Sequence, residues 1–98
     1  MEVAEIIAQQ LGGARFRAMT GARNLVAIDS GLQFQLPARF AKNKATHVQI
    51  RLNGNDLYDV RFFSLRALQI IERGSLCDVC AEMLAREFTE ATGLDTFI

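Results

Sequence analysis

The chain has 98 residues, half of them hydrophobic and 22% charged, with 11 basic and 11 acidic side chains. That length holds one domain with its own core and leaves no room for a second, and the balance of residues excludes a disordered linker or tail. No apolar run approaches the roughly 20 residues that cross a bilayer as a helix, and the zero net charge conceals a sorted chain: −2 over residues 1–11, +6 over 12–55 and −4 over 56–98.

Residues 2–11 place Val3, Ile6, Ile7 and Leu11 at helical spacing with Glu2, Glu5, Gln9 and Gln10 largely opposite, which predicts a short amphipathic helix. Gly12-Gly13 stops it. The segment MEVAEIIAQQ has neither a basic leader nor a long apolar stretch, so the sequence predicts a cytoplasmic protein whose two cysteines are reduced thiols.

The pattern then changes to period two. In Ala14–Thr20, Phe16 and Ala18 alternate with Arg15, Arg17 and Met19, and after Gly21 the run resumes over Asn24–Ile28 with Val26 and Ile28 on one face. Asp29-Ser30-Gly31 signals a hairpin turn. Leu32, Phe34 and Leu36 point inward between Gln33 and Gln35, and after a loop at Pro37–Ala45, Val48, Ile50 and Leu52 alternate with His47, Gln49 and Arg51. Asn53-Gly54 is a strong turn dipeptide. The fifth strand, about Asp56–Ser64, sends Tyr58, Val60 and Phe62 one way and Asp59, Arg61 and Phe63 the other.

Residues 65–73 fit either period, and irregular or extended structure is expected there. Leu76, Val79, Cys80, Met83, Leu84, Phe88 and Ala91 then form one apolar stripe, with Ser75 placed to cap a closing helix and Gly93 to end it. The expected fold is therefore a single α+β domain over residues 1–98. It has an N-terminal helix, an antiparallel meander of about five strands and a C-terminal helix, with both helices packed on one sheet face.

No catalytic constellation assembles from these residues. Cys77-Asp78-Val79-Cys80 would open the closing helix, where a thiolate is favoured. A second CxxC is absent and His47 is the only histidine, so a four-ligand metal site would need carboxylates. Cysteine as a small hydrophobe is the favoured reading, ahead of redox or metal chemistry. His47 has no Ser, Cys or carboxylate beside it and reads as a surface histidine. Gly12-Gly13 stands between a helix and a strand, the reverse of a phosphate loop. The sequence therefore predicts no enzyme, no cofactor and no metal.

Binding chemistry is better represented. Alternation gathers Arg15, Arg17, Gln33, Gln35, His47, Gln49, Arg51 and Arg61 on the outward sheet face, diluted by Asp59, and the 37–45 loop adds Arg39, Lys42 and Lys44 around Phe40. Cations neutralise phosphates and an exposed phenylalanine stacks on a base, so this surface suits nucleic acid, single-stranded in particular. The same residues also serve simply to solvate an open face. Met19, Phe40 and Phe63, if outside the core, would instead make an interface for a protein partner or for self-association.

The block Leu11-Gly12-Gly13-Ala14-Arg15-Phe16-Arg17-Ala18-Met19-Thr20-Gly21-Ala22-Arg23-Asn24, with Leu52-Asn53-Gly54-Asn55-Asp56-Leu57-Tyr58-Asp59-Val60, Gly31–Pro37 and Phe88–Leu94, resembles a family of small uncharacterised phage- and prophage-associated bacterial proteins. The likeness implies a bacterial or phage cytoplasmic setting. No activity is established for that family, so the resemblance carries over no catalytic residue, and Cys77 and Cys80 lie outside the blocks that carry it.

Overall fold

The computed structural model describes residues 3–37 and 41–94. Helix α1 (Val3–Leu11) forms where the apolar spacing places it and buries Ala4, Ile7 and Leu11.

The strand expected over 14–20 is instead a second helix, α2 (Ala14–Thr20). Phe16, Met19 and Thr20 decide it, because their i, i+3, i+4 spacing makes one helical stripe. Phe16 and Thr20 are fully buried and Met19 half-buried, while Arg15, Arg17 and Ala18 face solvent. The Thr20 hydroxyl donates to the Phe16 carbonyl at 2.7 Å and accepts from the Ala22 N–H at 3.2 Å, so this buried polar group is fully engaged. Gly21 closes the helix in the left-handed conformation, φ 74°, with its N–H on the Arg17 carbonyl. A Cβ at that position would lie 2.9 Å from Pro37 Cγ, so glycine is required there both by conformation and by space.

Five strands follow: β1 (Arg23–Ile28), β2 (Gly31–Gln35), β3 (His47–Leu52), β4 (Tyr58–Arg66) and β5 (Gln69–Val79). They form one antiparallel meander in chain order. The expected number of strands is thus met with a different membership: one is lost at 14–20 and one gained at 69–79. The expected helix start at Ser75 is also corrected. Residues 69–79 are extended, a 3-10 turn occupies Ala81–Met83, and the closing helix α3 spans Leu84–Thr92.

Bulges explain the misreading. Tyr58 faces Val79 and Val60 faces Leu76, so two steps along β4 match three along β5; a second irregularity sets Phe62 against Gly74 and Phe63 against Glu72. Each bulge turns strand spacing of two into three, and Leu76 and Val79 therefore imitate a helical stripe while both point inward. A bulge in β1 between Arg23 and Val26 has a related effect. Leu25 turns toward the core, and Val26 faces outward with half its surface exposed.

Both terminal helices pack on the inner face of the sheet. At the centre, Phe16 of α2 meets Phe34 of β2 edge-on with centroids 5.1 Å apart and Phe88 of α3 at 5.6 Å, and Phe88 lies 6.0 Å from Phe34 and 6.3 Å from Phe62 of β4. The two helices that meet there end alike. In α3 the Thr92 hydroxyl donates to the Phe88 carbonyl at 2.9 Å, the Leu94 N–H donates to Thr92 Oγ1 at 3.1 Å, and Gly93 takes φ 75° with its N–H on Thr89. Phe16-x-x-x-Thr20-Gly21 and Phe88-x-x-x-Thr92-Gly93 are one device used twice.

Truncating Phe88 removes one ring from three aromatic contacts. Phe88→Ala is expected to destabilise the protein by about 3–5 kcal/mol, read as a lowered urea midpoint. A loss below about 1 kcal/mol would mean that the site closes over the cavity.

Candidate interaction surfaces

The outer face of the sheet is built from cross-strand rows. Val26, Gln33, Gln49, Arg61 and Ser75 form one row, and Gln35, His47, Phe63 and Glu72 the next. Gln49 donates to Gln33 at 2.6 Å. Arg61 is paired with Glu72, its Nε 3.1 Å from Oε1, and its guanidinium carbon lies 4.9 Å from the centre of the Phe63 ring. That pairing raises the Arg61 pKa and lowers that of Glu72. His47 stacks on Phe63 with centroids 5.2 Å apart and hydrogen-bonds Thr46 Oγ1 through Nδ1 at 2.8 Å. Phe63 points outward as expected, yet it is only 5% exposed because His47 and Arg61 cover it.

This arrangement redistributes the expected basic face. Gln33, Gln35, His47, Gln49, Arg51 and Arg61 lie on it, but Arg15 and Arg17 stand exposed on α2 instead. Arg61 is taken up by Glu72, and Arg51 faces Asp59 across the β3–β4 register. Phe63 is no exposed interface residue, and Met19 is half-buried. Arg39 and Phe40 lie outside the described residues; Lys42 and Lys44 are exposed on the loop before β3.

The charges are sorted along the strands rather than between faces. Antiparallel order brings together the start of β1, residues 36–37 and 41–46, and the β4–β5 turn at one end of the sheet. There Arg23, Lys42 and Lys44 are exposed, and Arg73 reaches Ser64 Oγ at 3.2 Å, whose hydroxyl in turn donates to the Lys44 carbonyl. Among the described residues none of these four bases forms an ion pair. The opposite end holds Asp29 in the β1–β2 turn, Asp56 in the β3–β4 turn, and Asp59 and Asp78. Asn53 ties that end together: its side-chain amide donates to Asp59 at 3.0 Å and Asp78 at 2.8 Å, while its oxygen accepts from the Asn55 and Leu57 N–H groups.

The basic end also carries a hairpin that the sequence pattern did not single out. The last register pair between β3 and β4 is His47–Phe63, so Ser64–Arg66 and Gln69–Ile71 continue past it as a two-stranded overhang. Its turn residues Ala67 and Leu68 both have positive φ, 47° and 68°, the pattern of a type I′ turn that normally selects Asn-Gly. Leu68 is fully exposed, and Leu65 and Ile70, paired across the overhang, are each about half exposed. The signal in the sequence was the aliphatic run around 65–71, whose ambiguous period hid a hairpin.

Cys77 is an exposed strand residue and Cys80 a half-buried one just beyond the strand, both free thiols. The motif does not open the closing α-helix as expected: Cys77 lies in β5, and Cys80 immediately precedes the 3-10 turn at Ala81–Met83. Among the described residues no cluster of metal-ligating side chains is present, and no helix is long and apolar enough to cross a membrane. Compared with protein-family models, with curated proteins and with solved structures, the chain gives no match.

Burial holds the His47 imidazole below its ordinary value of 6.5, since desolvation disfavours the charged ring. Above that pH both folded and unfolded chains carry it neutral. Below it the unfolded chain binds the proton first, so stability falls as the pH drops through 6.5 toward the folded value. Urea melts at about pH 7.5 and about pH 5.5 should show this loss, and His47→Gln should shrink it. An equal loss in the variant would assign the effect to other groups.

Proposed function

We propose that the protein is a non-enzymatic binding protein of a bacterial or phage cytoplasm, and that its working surface is the β4–β5 hairpin tip, which takes a protein partner. The observation that carries this reading is the tip itself. A leucine in the left-handed region costs about 1–2 kcal/mol relative to glycine, and Leu68 holds that conformation while burying none of its surface. Folding gains nothing from it, and strain of this kind points to a role outside the fold. Leu65 and Ile70 extend the apolar surface, and Lys42, Lys44 and Arg73 set a basic rim at the same end. An aliphatic anchor within a charged rim has the anatomy of a protein interface.

The geometry favours nucleic acid less. Base stacking needs an exposed aromatic, and the described aromatic on the outer face, Phe63, is covered. The bases that remain there, Arg51 and Arg61, each face a carboxylate.

A photo-crosslinking residue placed at position 68 tests the reading in living bacteria. Protein adducts are expected, and they should be lost when Ile70→Asp is added. Adducts that are sensitive to nuclease, or no adducts, would overturn it. In parallel, a labelled single-stranded oligonucleotide should show no micromolar binding at physiological salt. Tight binding that weakens steeply with salt and disappears in Lys42→Ala/Lys44→Ala would replace the protein partner with nucleic acid.

A further inference from the structure

Beside the far end of β5 lies a depression of about 240 Å³ between that strand and the start of α3. Half-buried Leu76 and Met83 line it beside Cys77, Cys80 and the buried Val79, and Asp78 and Glu87 give it acidic groups. It is the chemical complement of the hairpin tip: aliphatic and acidic where the tip is aliphatic and basic. The two stand at opposite ends of the same eleven-residue strand. Resting on the reading of the hairpin as a protein-binding surface, we infer that its partner is a second copy of this chain. The Leu68 tip of one copy enters the acid-rimmed depression of the next, head to tail.

Three observations select this mode over other self-contacts. Tip-to-tip pairing would bring Lys42, Lys44 and Arg73 of two copies together, and like charges at an interface repel. Edge-to-edge pairing through β5 is blunted by its bulges, which interrupt the ladder near Arg73 and again at 77–78. Opposite charge at opposite ends lets copies follow one another in the same direction, and the antiparallel pair that would also match these charges needs the bulged β5 edges side by side. An interface between two different patches does not close on a pair, so each copy added leaves a free tip and a free depression. A contact of this size falls below that of stable complexes, so the association is weak, concentration-dependent and screened by salt.

Sedimentation equilibrium on the full chain tests it. At low ionic strength the average mass should climb with concentration past that of a dimer, and fall back toward the monomer in high salt. Leu68→Asp removes the tip at a fully exposed position, and aspartate tolerates the left-handed conformation, so folding is preserved. Glu87→Lys reverses the rim of the depression, with its fold checked by circular dichroism and melting. Each variant alone should be monomeric. An equimolar mixture should regain a heterodimer and nothing larger, because each variant retains the half that the other lacks.

A wild-type chain that is monomeric at every concentration overturns the inference, as does a mixture that fails to pair. An assembly lost in Leu68→Asp but indifferent to Glu87→Lys would be a tip-to-tip dimer and overturns it too. A monomeric wild type that still gives position-68 adducts with other proteins would sink this inference alone and leave the proposed function standing.

Discussion

The structure depends on one meeting of aromatic rings. Phe16, Phe34, Phe62 and Phe88 come from two helices and two strands, all are at most 1% exposed, and their edge-on and tilted contacts fix where α2 and α3 lie on the sheet. Such contacts add orientation to the area they bury. Their consequences reach the surface. The helix ends beyond Phe16 and Phe88 are both closed by a threonine and a glycine, and the end of α3 accepts the Lys42 N–H on the Thr92 carbonyl at 2.8 Å. The loop carrying Lys42 and Lys44 is thereby anchored to the aromatic core, and the basic end of the molecule is held in place from inside.

Read as residue order, the charge pattern divides a basic middle from acidic flanks. In three dimensions it divides the two ends of the strands. The meander converts one into the other because every turn brings the chain back to the end it left. The arginines expected to make a basic face are dispersed by local structure: two move to a helix, one is bound by a glutamate, one faces an aspartate. Four bases without an ion pair among the described residues, Arg23, Lys42, Lys44 and Arg73, stand around the end that also bears the apolar hairpin.

Much of the fold was legible. The first helix, β2 and β3 follow directly from periodicity, since both faces of those strands obey strict alternation, and the antiparallel meander with helices on one face follows from them. The misreadings share a physical source. Period-two spacing breaks wherever a bulge adds a residue, and Leu76 and Val79 at a spacing of three then look helical. Conversely, α2 is short and its stripe includes Thr20, which counts as polar until its hydroxyl is seen bonded to the Phe16 carbonyl. The repeat of Phe-x-x-x-Thr-Gly near residues 16 and 88 was the available clue, for the second copy lies in a segment whose helical period is plain. At the candidate site, Lys42 and Lys44 were found by composition. The hairpin tip was not, because exposure of Leu68 follows from a turn that its own sequence does not favour.

The order of the elements also bears on how the core is sealed. Each strand pairs only with its neighbours in sequence, so the contacts within the sheet are those of successive hairpins, with the longest closure at residues 36–46 between β2 and β3. Phe88 comes from α3, which follows all of them in sequence. Until α3 docks, Phe16, Phe34 and Phe62 lack the ring that joins them, and the sheet presents an unsealed apolar face. An arrest before that docking leaves an intermediate with a complete sheet, an open core and every reason to aggregate.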